Sequence, residues 1–266
     1  MLINKLRATV KTVLANTFAY EFAKSLYTKF KLTRDRQLFQ KHHPESEYIN
    51  YSKRQIAVHR ESGFYSQYSQ DFFLWSNYLS NIDSGKFIDI GANKPVTNSN
   101  SFFFEKNDWT GVAIDPLKHF QPEWIKERKT PLICGAVSDS ICDEPFIEIL
   151  PSAGWEHALS GFKAHVRTED LALYEHKEYL VATKPLSLYI AEPSKVDLIL
   201  IDVEGAEMAV LRGIDFTVFS PNYLLIENDR TMGGSETLRN YLKDQGYKCV
   251  ARIAATDDFY VKKTCL

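Results

Sequence analysis

Five short apolar runs, separated by stretches of helix length, constrain the fold of this chain more than any other feature. They are Lys86–Ile90, Gly111–Asp115, Pro131–Val137, Val196–Asp202 and Tyr223–Glu227. Runs this short, rich in Ile, Leu and Val and with little polar alternation, read as strands buried on both faces. Helical patterns fill the gaps at about 97–106, 116–128, 205–213 and 235–245, and Ser69–Leu79 supplies another before the first run. After Gly246, Lys248–Ala254 and Asp258–Lys262 read as two closing strands joined by a tight turn. The expected fold is α/β: a Rossmann-like, mostly parallel seven-stranded sheet flanked by helices and closed by an antiparallel hairpin.

A length of 266 residues accommodates one such domain and an appendage. The formal charge of −2 gives no general attraction to nucleic acid. Residues 1–42 nevertheless hold nine Lys/Arg against only Glu21 and Asp35. In the same segment Ile3, Leu6, Val10, Val13, Leu14, Phe18, Phe22, Leu26 and Phe30 recur at three- and four-residue spacings. That pattern predicts a basic amphipathic helix, or two in tandem, packing on the main domain or on a second copy of the chain. Peripheral contact with a membrane is the alternative. Residues 40–63, with Pro44 and Gly63, read as a connector, so the chain divides into an extension over 1–60 and a domain over 61–266. An insertion at about 140–190 interrupts the alternation, with extra strands at 145–150 and 178–184, and is expected near the substrate. The four cysteines are scattered without a C-x-x-C pair, which argues against a zinc site or a disulfide framework and for a reducing, cytoplasmic setting. No signal-type apolar core or bilayer-length run is evident.

In an open parallel sheet, ligands bind beyond the carboxyl ends of the strands. Here those ends read Asp89-Ile-Gly-Ala-Asn93, Asp115-Pro116, Ala136-Val-Ser-Asp139, Asp202-Val-Glu-Gly205 and Glu227-Asn228. Gly91 permits a tight turn and a close approach of backbone to ligand. The phosphate-cradling G-x-G-x-x-G is missing, which disfavours a nicotinamide-dependent oxidoreductase. Acids at the strand ends suit S-adenosylmethionine, which has an ammonium and a ribose but no phosphate. Asp89 is assigned to the ammonium and Asp115, 26 residues on, to the ribose hydroxyls. Asp139 is assigned to the adenine amino group, with Ala136 and Val137 as an apolar wall. Transfer of a methyl group to a hydroxyl needs a proton acceptor, for which Asp202, Glu204 and Glu227 are the candidates. Glu204 and Glu207 have helix capping as an alternative role. His157, beside Trp155, is a further substrate-site candidate. Asp202 followed by Glu227-Asn228 also offers hard oxygen ligands for Mg²⁺, a less favoured reading, so no metal ligand is assigned.

Several of these segments together resemble the FkbM-type methyltransferases: Phe64–Asp71 (FYSQYSQD), Phe87–Asn93 (FIDIGAN), Thr97–Asn100, Ala136–Asp139 and Ile201–Glu207 (IDVEGAE). The resemblance implies a class I methyltransferase fold, S-adenosylmethionine as donor, and O-methylation of a sugar, a glycan or another small polar acceptor. It also implies cofactor contacts from Asn93, Asn100 and Asp202. The chain departs from the family pattern at Lys94-Pro95, where many members have glycine two residues after the Asn. The cofactor loop is therefore expected to be stiff, with no backbone donor at Pro95. A non-enzymatic alternative keeps the fold as an assembly or membrane-docking module, but the intact strand-end acids have no use in a pure scaffold.

Overall fold

The computed structural model describes residues 18–150, 154–190 and 195–266, with side chains from residue 24 onward. The helices are α1 (Phe18–His42), α2 (Lys53–Glu61), α3 (Gln70–Leu74, continued by a π-turn over Trp75–Leu79), α4 (Phe102–Lys106), α5 (Gln121–Glu127), α6 (Thr168–Leu173), α7 (Glu207–Arg212) and α8 (Glu236–Asp244). The strands are β1 (Glu47–Ile49), β2 (Lys86–Ile90), β3 (Thr110–Asp115), β4 (Leu132–Cys134), β5 (Ala136–Val137), β6 (Cys142–Ile149), β7 (Gly161–Phe162), β8 (His176–Lys184), β9 (Leu198–Ile201), β10 (Tyr223–Glu227), β11 (Tyr247–Ile253) and β12 (Asp257–Lys262).

The main sheet has eight strands in the order β1-β11-β12-β10-β9-β2-β3-β4. Only β12 runs antiparallel to its neighbours, β10 and β11. The chain leaves β2 for β3 and β4 on one side and resumes with β9 on the other, so the order reverses between β2 and β9. That reversal opens a crevice at their carboxyl ends. Successive side chains of one strand serve opposite faces. Ile88, Ile199, Ile201, Leu224 and Ile226 pack with Val210, Leu211, Leu238 and Leu242 of α7 and α8. Phe87, Leu198, Leu200 and Leu225 pack instead with Phe73, Leu74, Phe103 and Phe104 of α3 and α4. Both faces are therefore covered, which is why these runs lack polar alternation.

Three expectations need correction. The sheet has eight strands rather than seven, because part of the supposed connector forms β1, which pairs in parallel with β11. The rest of it forms α2, whose Ser52 and Gln55 make a reciprocal capping box. The third apolar run is not one strand: it breaks at Gly135, so that β4 continues the main sheet while β5 joins a second sheet. A side chain at position 135 would meet the ring and hydroxyl of Tyr189. The second, four-stranded sheet has the order β5-β8-β6-β7, and β6 and β8 pair antiparallel through the insertion. Finally, the helix expected at 97–106 begins only at Phe102, and Asn98 bridges instead to Ser66.

The first part of the N-terminal stripe, Ile3 to Leu14, lies outside the described residues. Further along, Leu26 and Phe30 are exposed on α1. Contact with the domain is made by the later turns of the helix, where Phe39 and Asp35 are buried. Asp35 accepts from Arg252 Nε at 2.7 Å, and Arg252 Nη1 donates to Asp258 at 2.9 Å. Asp258 also accepts from Arg239 Nε at 2.8 Å. All four charges are withdrawn from solvent. No helix among the described residues is long and apolar enough to cross a membrane.

Candidate active site

The crevice holds a cavity of about 210 Å³ built from the ends of β2, β3, β5 and β9 and roofed by the insertion. Gly91 turns the chain out of β2 at φ = 84°, and a Cβ there would lie 1.7 Å from the Asp202 carbonyl oxygen. Only glycine lets the ends of β2 and β9 come this close. Asp89 faces the cavity from β2. One of its oxygens has no hydrogen-bond partner, and burial pushes its pKa up despite help from Ser101 and Arg128. Asp115 accepts from the backbone N–H groups of Asn93 and Leu117, both at 2.8 Å. Burial is the larger influence and raises its pKa to about 6.

The loop after Gly91 is fixed from outside. Trp124 Nε1 donates to the Asn93 carbonyl at 2.8 Å, and Arg128 Nη1 donates to the Pro95 carbonyl at 2.7 Å. Arg128 is in turn paired with Glu105. Pro95, lacking an N–H, thus contributes its carbonyl to an anchoring bond. Asn93 (at φ = 50°) and Asn100 line the cavity, and the side-chain oxygen of each is buried without a partner. Ala136 and Val137 form part of the wall. Asp139 is not among the lining residues; it lies 3.9 Å from Arg212 with its side chain 40% exposed.

A second cavity, of about 130 Å³ and almost entirely polar, adjoins the first and shares Gln67, Asn98, Asn100 and Asp202 with it. Glu227 and Asp257 line it from opposed positions, because β12 is antiparallel to β10 and its first residue is paired with the last of β10. Asp257 accepts from Gln70 Nε2 at 2.9 Å and from Thr256 at 2.7 Å. Tyr68 lines the same cavity beside Gln70. The FYSQYSQD segment carried the sequence signal for Tyr68 and Gln70, although it assigned them no role. Asp257 gave none, since it reads as the polar start of a strand. Arg128, alone at the end of α5, was equally silent.

Asp202, Glu204 and Glu227 come together, each offering an oxygen within 4.8 Å of the others. Burial, reinforced by neighbouring acids, holds the pKa values of Asp202 and Glu227 well above the usual carboxylate range. Glu204 is raised to about 7, chiefly by burial and against the pull of Arg230, whose Nη2 donates to it at 3.0 Å. One oxygen of Glu227 is buried without a partner. Asn228, by contrast, is occupied by Asp258 and the backbone of Ser235. Glu207 accepts from the Gly205 N–H at 2.8 Å in the turn that leads into α7. His157 lines the first cavity, but against Phe120 rather than among the three acids.

No curated protein matches the chain. The family model described as the methyltransferase FkbM domain matches residues 89–249, from the Asp89 strand end to β11. That match spans more than half of the sequence and includes the ends of all five apolar runs, and the chain therefore belongs to the FkbM methyltransferase family.

Proposed function

We propose that this methyltransferase uses S-adenosylmethionine to methylate a hydroxyl of a sugar, a glycan or a similar small polar acceptor on a Rossmann-like class I fold. The observation that carries this reading is the pair of adjoining cavities with Asp202 at their junction. The first suits the donor. It has a carboxylate with a free oxygen for an ammonium (Asp89), a second carboxylate for vicinal hydroxyls (Asp115), and an apolar wall. The second suits a polyhydroxyl acceptor, being lined by Gln67, Tyr68, Asn98, Glu227 and Asp257.

When bound, the donor supplies an electrophilic methyl group on a cationic sulfur. The chain must hold the acceptor oxygen in line with that methyl group and take up the hydroxyl proton as the oxygen–carbon bond forms and the carbon–sulfur bond breaks, leaving a neutral thioether. Glu227, with an unpartnered oxygen and a pKa raised by burial and by Asp202, is suited to accept the proton. Asp202 and Glu204 keep its proton affinity high, since three close, buried carboxylates resist full ionisation. Asp202→Asn and Glu227→Gln preserve size while removing charge. Each is expected to lower transfer of labelled methyl groups to sugar acceptors by about 10²-fold, and Glu227→Gln, outside the first cavity, should change donor affinity only a few-fold. Full activity in both variants would move the acceptor site elsewhere.

The close approach of the three carboxylates also favours a second reading, in which they hold a divalent cation that orients the acceptor. EDTA separates the two. Activity that is lost and then restored by Mg²⁺ supports the cation, whereas indifference leaves the acids to act alone.

A further inference from the structure

We propose that His157 reads the amino-bearing edge of the donor's adenine. This proposal rests on S-adenosylmethionine being the donor. Asp139, the acid nearest the apolar wall in sequence, supplies no carboxylate to the base: it is absent from the cavity lining and turns toward Arg212. His157 lines the cavity and is only 7% exposed. Its Nδ1 is buried with no hydrogen-bond partner. A buried polar atom of this kind is costly unless a ligand completes it.

The surroundings place the imidazole at the purine end. Beyond the ribose-binding Asp115 the chain continues through Leu117, which lines the cavity, to Phe120. The Phe120 ring meets His157 edge to face, with centroids 5.1 Å apart. Ala136, Val137, Phe146 and Phe162 complete an apolar slot suited to a flat base. Lys94 Nζ donates to the Gly154 carbonyl at 3.1 Å and ties the start of the His157 turn to the cofactor loop. Burial, with Lys94 nearby, lowers the imidazole pKa to about 4, so the ring is neutral at physiological pH. A neutral imidazole nitrogen either accepts from the adenine amino group or donates to adenine N1. For the tautomer that pairs with adenine, both arrangements fail with hypoxanthine, whose edge carries a carbonyl and an N1–H in their place; re-pairing requires the ring proton to move to the other nitrogen.

The test is calorimetric binding of S-adenosylhomocysteine and S-inosylhomocysteine to the full chain. The wild type should prefer the adenosine compound at least tenfold. His157→Phe, which keeps an aromatic ring against Phe120, should lose about tenfold in affinity for the adenosine compound and leave the inosine compound within threefold. Asp139→Ala should keep the full preference. Circular dichroism checks folding, and His157→Gln, which retains a hydrogen-bonding group, should keep part of the preference if the Phe variant is unstable. An undiminished preference in both His157 variants, or its loss in Asp139→Ala, overturns the assignment. If neither compound binds the wild type, the donor reading itself falls and the assignment with it.

Discussion

At Gly91 the close approach of β2 and β9 leaves no room for a side chain, since an added Cβ would overlap the Asp202 carbonyl. Gly91→Ala should therefore force the two strand ends apart, in addition to straining a backbone at φ = 84°. Donor binding is expected to be abolished and the midpoint of thermal unfolding lowered. Unchanged binding and melting would show that the crevice does not depend on this contact. Gly91, Asp89 and Asp115 were legible in the sequence because each ends an apolar run, where a polar or glycine residue stands out. Asp202 and Glu227 were legible on the same grounds, and the structure brings them together with Glu204. Asp257 and Arg128 were not, because their roles come from elements distant in sequence. Asp257 reaches the second cavity only through the antiparallel pairing of β12 with β10. Arg128 acts on the loop after Gly91 through its contact with the carbonyl of Pro95. Asp139 shows the opposite error: a strand-end acid whose side chain leaves the crevice for an exposed arginine.

Among the elements, α1 and β1 depart furthest from their sequence reading. Polarity and Pro44 suggested a connector before residue 61, but β1 extends the sheet and α1 delivers Asp35 to a buried arginine. A three-residue strand at a sheet edge is too short for periodicity to reveal. Asp35 is one of two acids on a basic helix, and nothing in the pattern marks it as a buried one. Removing Asp35 leaves Arg252 paired only with Asp258, which it shares with Arg239. Asp35→Ala should therefore destabilise the protein by about 3–5 kcal/mol, the usual cost of breaking a buried ion pair from one side. Denaturant unfolding of the full chain measures this, and a loss under 1 kcal/mol would show that α1 is an appendage. The division of the third apolar run has a similar origin. Its composition is continuous, but Gly135 provides the space that Tyr189 fills, and the chain changes sheet there.

For the whole molecule, the alternation of buried runs with helical stretches was enough to give a helix-covered α/β sheet, because alternate residues of one strand must feed two apolar layers. The eighth strand was too short to be read in that way, and of the second sheet only the two long strands, β6 and β8, were legible, as extra strands of the insertion. The sheet reversal between β2 and β9 sets a more apolar cavity beside a polar one, and the proposed function requires the first to be a site for S-adenosylmethionine. Calorimetric binding of S-adenosylhomocysteine to the wild type and to Asp115→Ala tests this most directly. The wild type should bind it and not NAD, and the variant should lose about 2 kcal/mol or more, the scale for hydrogen bonds to a carboxylate. The Asp115 pKa of about 6 adds a sign. Below that value the carboxyl is protonated and a poorer acceptor for ribose hydroxyls, so wild-type affinity should fall as pH drops through 6, and the variant should lack that fall. A wild type that ignores S-adenosylhomocysteine, or an equally tight, folded Asp115→Ala with the same pH profile, would contradict the account.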